Sequence, residues 1–206
     1  ILLFRMGDFF ETFDDDARVL ARELDIALTT KEMGRGQRIP LAGIPCQSAE
    51  THLARLIGKG FKVAICEQVS DPKKSNGLVD REVVRVVTPG TVIEDSILDS
   101  KTNNFLAALL IEGNNAGFAY VDISTCEFAT TESTLSHIGM EISRITPSEL
   151  LLSNEDTGGL SIGQGIMITK LTSEAFHHEL AIDRLKRHLG VKSLEPYGCD
   201  KQPGTW

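Results

Sequence analysis

A strand-and-helix alternation that runs once, breaks at a polar stretch over residues 88–102 and then restarts constrains this chain more than any other feature. In the first run, residues 2–6 read as a short apolar strand closed by a turn at Gly7-Asp8. Phe13, Ala17, Leu20, Ala21 and Leu24 recur at helical spacing, which predicts a helix from Asp14 to Leu24. Acidic residues at its start suit the positive end of the helix dipole. A Gly- and charge-rich loop is expected from Lys31 to Arg38. A second helix is expected from an N-cap at Ser48 to about Gly60, burying Ala49, Leu53, Leu56 and Ile57. Residues 61–65 and 83–87 read as strands on either side of an exposed loop at 71–77, and Pro89-Gly90 stops the second of them. Helices alternating with strands in this way predict a mixed-sheet α/β domain over residues 1–88.

The second run has a different order. Residues 105–111, 117–123 and 127–131 read as consecutive strands, and the tight link through Gly113-Asn114-Asn115 favours an antiparallel hairpin. A helix at 135–144, a buried strand at 150–152, a strand at 166–168 and a helix from Ser173 to Leu189 follow. Strands first and α/β units afterwards fit a ribonuclease-H-like sheet over residues 103–206, which leaves 89–102 as a linker. The chain opens on Ile1 without an initiator methionine and stops at Trp206 with no terminal element, so a piece of a longer protein is expected.

The net charge of −8 argues at first against a nucleic-acid partner, but its distribution matters more than its total. Residues 1–90 hold 13 Lys/Arg against 13 Asp/Glu, whereas residues 91–206 hold 8 against 16. Within the first part, residues 31–85 carry ten basic and six acidic side chains, so a mildly basic half-domain precedes an acidic one. The four cysteines form no C-x-x-C pair, which argues against structural zinc and a disulfide framework and fits a reducing cytosol. Cys66 reads as a small buried hydrophobe. No apolar run approaches the roughly 18 residues of a membrane span. Gly158-Gly159 and Gly163-x-Gly165 lack the lysine and the strand-to-helix context of a phosphate-binding loop, so no nucleotide site is expected in these residues.

The segment richest in chemistry is Arg5-Met6-Gly7-Asp8-Phe9-Phe10-Glu11. Two adjacent aromatics stand between a Gly-Asp turn and an acidic helix start. Both rings in the core is one reading; period-two alternation in a strand would bury only one and leave the other exposed. This run resembles the R-M-G-D-F-Y-E motif of the MutS family of DNA mismatch-repair proteins, with Phe10 where Tyr is commoner. Ile39–Pro45, Val63–Gln68, Val83–Thr91 and Asp122-Ile123-Ser124 also resemble family signatures and follow in family order.

The resemblance implies a mismatch-recognition domain followed by a connector domain. It implies that Phe9 wedges beside a mispaired base and that Glu11 hydrogen-bonds the displaced base. Met6 would pack beside the wedge, with burial in the core as its alternative. Lys31, Arg35, Arg38, Lys73, Lys74 and Arg81 are candidates for backbone contacts, each with plain solvated charge as its alternative, and Lys31 and Arg81 look equivalent to DNA-contacting family positions. By the same resemblance, the partners are mismatched duplex DNA, MutL through the connector, and a second copy in the full-length protein. That protein would use ATP and Mg outside these residues, in a bacterial cytosol, nucleoid-associated. No cofactor is expected in these residues themselves.

Two other readings compete. Asp122 ends a strand where ribonuclease-H-like nucleases keep a metal-binding aspartate, with Glu149, Glu155 and Asp156 nearby in sequence, although two-metal hydrolysis needs carboxylates that converge. A structural turn or cap is the simpler role for Asp122. Alternatively, the acidic second domain is a protein-interaction module with no DNA role. His177-His178 could pair on a metal, but adjacent positions on a helix face apart.

Overall fold

The computed structural model describes residues 1–32, 34, 36–69, 79–94, 97–98, 101–153 and 162–199. They form two compact units that divide between residues 100 and 101. The loop expected at 71–77 and the candidates Arg35, Lys73, Lys74, Glu155, Asp156 and Gly158-Gly159 lie outside the described residues.

The first unit is a six-stranded mixed sheet in the order β3-β4-β2-β1-β5-β6. Its strands are β1 (Leu2–Met6), β2 (Phe9–Phe13), β3 (Thr29–Glu32), β4 (Arg38–Pro45), β5 (Val63–Gln68) and β6 (Arg81–Val87). β1 and β5 run parallel, and every other pair is antiparallel. Helices α1 (Asp14–Leu24) and α2 (Ala49–Gly58) bury Ala17, Leu20, Ala21 and Leu24, and Ala49, Leu53, Leu56 and Ile57, as their spacing predicts. These side chains meet Leu3, Phe10, Ala42, Ile44 and Val63 in one core. The register places those strand residues on one side of the sheet, so both helices cover the same face.

Three local details differ from expectation. Residues 31–38 are not one loop, because Lys31 and Glu32 end β3 and Arg38 begins β4 of a hairpin. Ser48 stands at the N-cap position of α2, but its hydroxyl donates backward to the Pro45 carbonyl (3.3 Å) instead of capping the helix. A 3-10 turn over Cys46–Ser48 leads into α2 in its place. Within residues 89–102, read as a linker, Val92 enters the first core and Ile97 and Leu98 pack against it. Arg85 on β6 holds this segment through its two terminal guanidinium nitrogens, Nη1 and Nη2, at 2.6 and 3.0 Å from the Glu94 carboxylate. The alternation of acids with spaced apolar residues there hides a core contribution inside a polar composition.

The second unit is a five-stranded sheet in the order β11-β10-β7-β8-β9. β7 (Phe105–Glu112), β8 (Asn115–Asp122) and β9 (Glu127–Thr134) form an antiparallel meander. β10 (Glu149–Ser153) then lies parallel to β7, and β11 (Met167–Leu171) parallel to β10. Counted along the chain the order is third, second, first, fourth, fifth, the arrangement expected of a ribonuclease-H-like sheet. The β7–β8 turn has two residues, Gly113-Asn114, with Gly113 at φ +61°, a conformation that glycine adopts without strain. Helix α3 (Leu135–Ile145) buries Ile138, Ile142 and Ile145 against Phe105, Leu109, Phe118, Leu150 and Leu152. The final helix is shorter than expected: Ser173–Phe176 is a 3-10 turn, and α4 spans His178–Leu189 after an extended His177. Both units are therefore mixed α/β sheets, as the alternation predicts.

Candidate nucleic-acid interface

The β1–β2 hairpin turns on Gly7-Asp8, with Gly7 at φ +64°, where a side chain would be strained. The turn is tied to the end of β4, because the Cys46 amide donates to the Asp8 carbonyl at 2.9 Å. Immediately after it the two phenylalanines separate. Phe10 points into the core and is 9% exposed, whereas Phe9 is 46% exposed. The pleat, not composition, makes that difference: consecutive residues of β2 face opposite sides of the sheet.

Phe9 sits between Met6 on β1 and Pro45 on β4 in the cross-strand register, and Glu11 sits between Phe4 and Gly43. All six lie on the sheet face opposite the helices. Met6 is half-buried there, outside the helix-side core. Gly43 lets the two strands approach closely: a Cβ at that position would lie 3.2 Å from the Phe10 carbonyl oxygen, tighter than ordinary contact, and 3.5 Å from the Glu11 Cγ. Glu11 is paired. Lys31 Nζ reaches its Oε2 at 3.3 Å and lies 5.5 Å from the centre of the Phe13 ring, which in turn stacks obliquely on Phe4 at 5.9 Å. The Lys31 and Glu11 side chains are 39% and 22% exposed.

Arg81 approaches the same hairpin from the other side. Its Nη1 donates to the Arg5 carbonyl at 2.6 Å, one residue before Met6. Arg5 turns its own guanidinium towards Glu67 at 3.5 Å. Arg38 is exposed at the start of β4. Met6, Phe9, Glu11 and Lys31 thus share one face of one sheet, although they come from three strands, and Arg81 on β6 reaches the β1 backbone beside Met6. Sequence reasoning gave no site role to Gly43, Pro45 or Phe4, and it set Phe13 on the apolar face of α1, whereas Phe13 ends β2 and stacks on Phe4. Reading residues 39–45 as a strand would have found the first two, since Ile39, Leu41, Gly43 and Pro45 then share a face.

The second unit handles its acidic residues differently. Asp122 is buried, and its carboxylate accepts from the Asn104 amide (3.0 Å), the Ser124 amide (2.9 Å), the Ser124 hydroxyl (2.6 Å) and the Thr125 amide (3.3 Å). Burial pushes its pKa up, and the Ser124 hydroxyl with the three amides pulls it further down, so the net shift is downward. Its lone pairs are committed to a turn. Glu149 is buried and accepts from the Thr169 hydroxyl. Among the described residues, no three His, Cys, Asp or Glu side chains come together as a metal site would need. No helix among them is long and apolar enough to cross a membrane.

Comparison with known proteins follows the same division. The family profile for MutS domain I matches residues 1–96, and that for MutS domain II matches residues 104–205. A DNA mismatch repair protein MutS of Dehalococcoides mccartyi (strain CBDB1) is 48% identical over 203 residues, covering 98% of this chain and 24% of that protein. The MutS of Halothermothrix orenii is 42% identical over 215 residues, covering all of this chain and 24% of its own length. That of Methanosarcina acetivorans is 44% identical over 223 residues, covering 98% and 25%. The chain spans about a quarter of the length of the relatives it matches. With domain I on its first sheet and domain II on its second, the chain belongs to the MutS family.

Proposed function

We propose that the first unit reads mismatched or unpaired bases in duplex DNA, with Phe9 as the wedge and Glu11 as the hydrogen-bonding partner of the displaced base. The observation that carries this reading is the split of the Phe pair: Phe9 is open to solvent on the face that also presents Glu11, while Phe10 is spent on the core. An aromatic ring that enters a base step replaces lost base stacking, and such stacking is worth on the order of 1–3 kcal/mol in single-stranded systems. Inserted apolar side chains unstack a step and kink the duplex, which costs less where a base is already badly paired. Met6 and Pro45 flank the ring in the register, Arg81 brings positive charge to the β1 side, and Lys31 is held by the Glu11 carboxylate. In the full architecture of its relatives, this chain would work with an ATP- and Mg-dependent part of the protein and with a second copy. The second unit would serve as the connector that recruits MutL.

The test is a titration of mismatched against matched duplex with wild type and Phe9→Ala, each in the full architecture of the relatives. Mismatch preference should fall to near unity in the variant while matched-duplex affinity changes little. Equal preference in the two proteins refutes the wedge. The nuclease reading has no such support, because the four hydrogen bonds to Asp122 leave its carboxylate holding a turn.

A further inference from the structure

Resting on that reading, we infer that Lys31 is a positioning residue for Glu11, the counter-ion that lets a carboxylate be carried into a groove lined with phosphates. The observation is the geometry of the pair. Lys31 leaves β3, crosses the ring of Phe13 at 5.5 Å and ends 3.3 Å from the Glu11 carboxylate, two residues from the exposed ring of Phe9. The carboxylate is confined on its other sides. Gly43 stands across from it on β4 and Phe4 across from it on β1, and neither offers a charge. Arg5 on β1 is directed to Glu67, and Arg81 to the Arg5 carbonyl.

An uncompensated anion brought within the roughly 8 Å screening length of DNA phosphates opposes docking on any sequence. Paired with Lys31, the same side chain presents no net charge. At a mismatch the base can take over one carboxylate oxygen. At a matched step the pair stays closed. Lys31 therefore acts through Glu11 and not as an independent phosphate contact, and its effect exists only while position 11 is an anion.

A double-mutant cycle separates the two roles. Lys31→Met keeps an unbranched aliphatic side chain at position 31 and removes the charge, and with it the ammonium over the Phe13 ring, while Glu11→Gln removes the anion at constant size. Both changes, their combination, Lys31→Arg and Phe9→Ala are titrated with matched and mismatched duplexes at two salt concentrations, in the full architecture of the relatives. Lys31→Met should weaken duplex binding about two- to fivefold more with Glu11 present than in the Glu11→Gln background, the range measured for partly exposed ion pairs. Lys31→Arg should restore it. Equal losses in the two backgrounds, each with the salt slope reduced by about one, would show an independent phosphate contact and overturn the inference. The wedge reading would survive that result so long as Phe9→Ala still abolishes mismatch preference. If Phe9→Ala keeps the preference, the wedge reading falls and this inference falls with it.

Discussion

Phe9 and Phe10 are adjacent and identical in composition, yet truncating them should have very different consequences for stability. Phe10→Ala empties a site in the core among Leu3, Ile44 and the two helices, and losses of this kind run to about 3–5 kcal/mol because a cavity is added to the lost transfer energy. Phe9→Ala leaves no cavity. With 46% of the residue already in water, it forfeits about half of a full burial, on the order of 1 kcal/mol. The gap should thus be about 2 kcal/mol or more. In a unit of this size each kcal/mol displaces the midpoint by about 4–8 °C, so the two variants should unfold some 10 °C apart. The assay must report on the first unit. Both tyrosines and the single tryptophan fall after residue 100, so intrinsic fluorescence would follow the wrong half of the chain. Calorimetry, or amide exchange read at β2 and α1, avoids that problem. Comparable destabilisation by both substitutions would mean that Phe9 is packed as a core residue, and the alternation on which its exposure rests would be refuted.

Two further consequences concern single polar groups. Asp122→Ala leaves the amides of Asn104, Ser124 and Thr125 without their acceptor and should cost the second unit about 3 kcal/mol, followed by fluorescence of Tyr120, whose ring meets Phe105 edge-on at 5.0 Å. Because the Asp122 pKa is lowered on folding, its contribution is full above the unfolded value and fades as pH falls through the folded one. Wild-type and variant stabilities should therefore converge in acid, and a constant gap would count against the assignment. His52 on α2 behaves alike for another reason: burial, then the nearby Arg55 charge, lowers its pKa, and its buried Nδ1 finds no hydrogen-bond partner among the described residues. The first unit should hold full stability above about pH 6.5 and lose some as pH drops towards the folded value. His52→Leu should flatten that slope between pH 8 and 5, and an unchanged slope would assign the dependence to another group.

How much of this was visible in the sequence depended on whether the determining contacts were local. Both ends of α1 followed from residues within one helical stretch. The hairpin of β3 and β4 did not, since Pro40 and Pro45 argue against a strand that is paired on both sides. The register resolves the conflict. β2 pairs with residues 41–45 of β4 and β3 with residues 38–41, so each proline stands where only one neighbour needs a ladder. The break at His177 was hidden for the opposite reason, because nothing in the run from Ser173 to Leu189 resembles a stop signal. In the candidate site, Phe9 and Glu11 could be read together because two residues along a strand return to one face. The ion pair of Glu11 with Lys31 and the grip of Arg81 on the Arg5 carbonyl could not. They arise from strand order, β3-β4-β2 on one side and β1-β5-β6 on the other, which no local pattern specifies.

That dependence on strand order bears on how a wedge can discriminate at all. A ring carried by a loose loop would lose freedom on entering a base stack, and the loss would be similar at every step, matched or not. Phe9 is instead the first residue of a paired strand. It follows a two-residue turn whose carbonyls and flanks are held by the Cys46 amide and by Arg81. Little of its backbone remains to be ordered on insertion, so on the proposed function nearly all of the deformation falls on the DNA. A rigid probe reports the stiffness of what it presses against, and badly paired steps are the compliant ones. Mismatch preference by a single apolar side chain therefore requires the sheet behind it as much as the ring. Loosening the hairpin, for instance by Arg81→Ala, should erode preference even though every atom of Phe9 is kept; unchanged preference in that variant would show that rigidity plays no part.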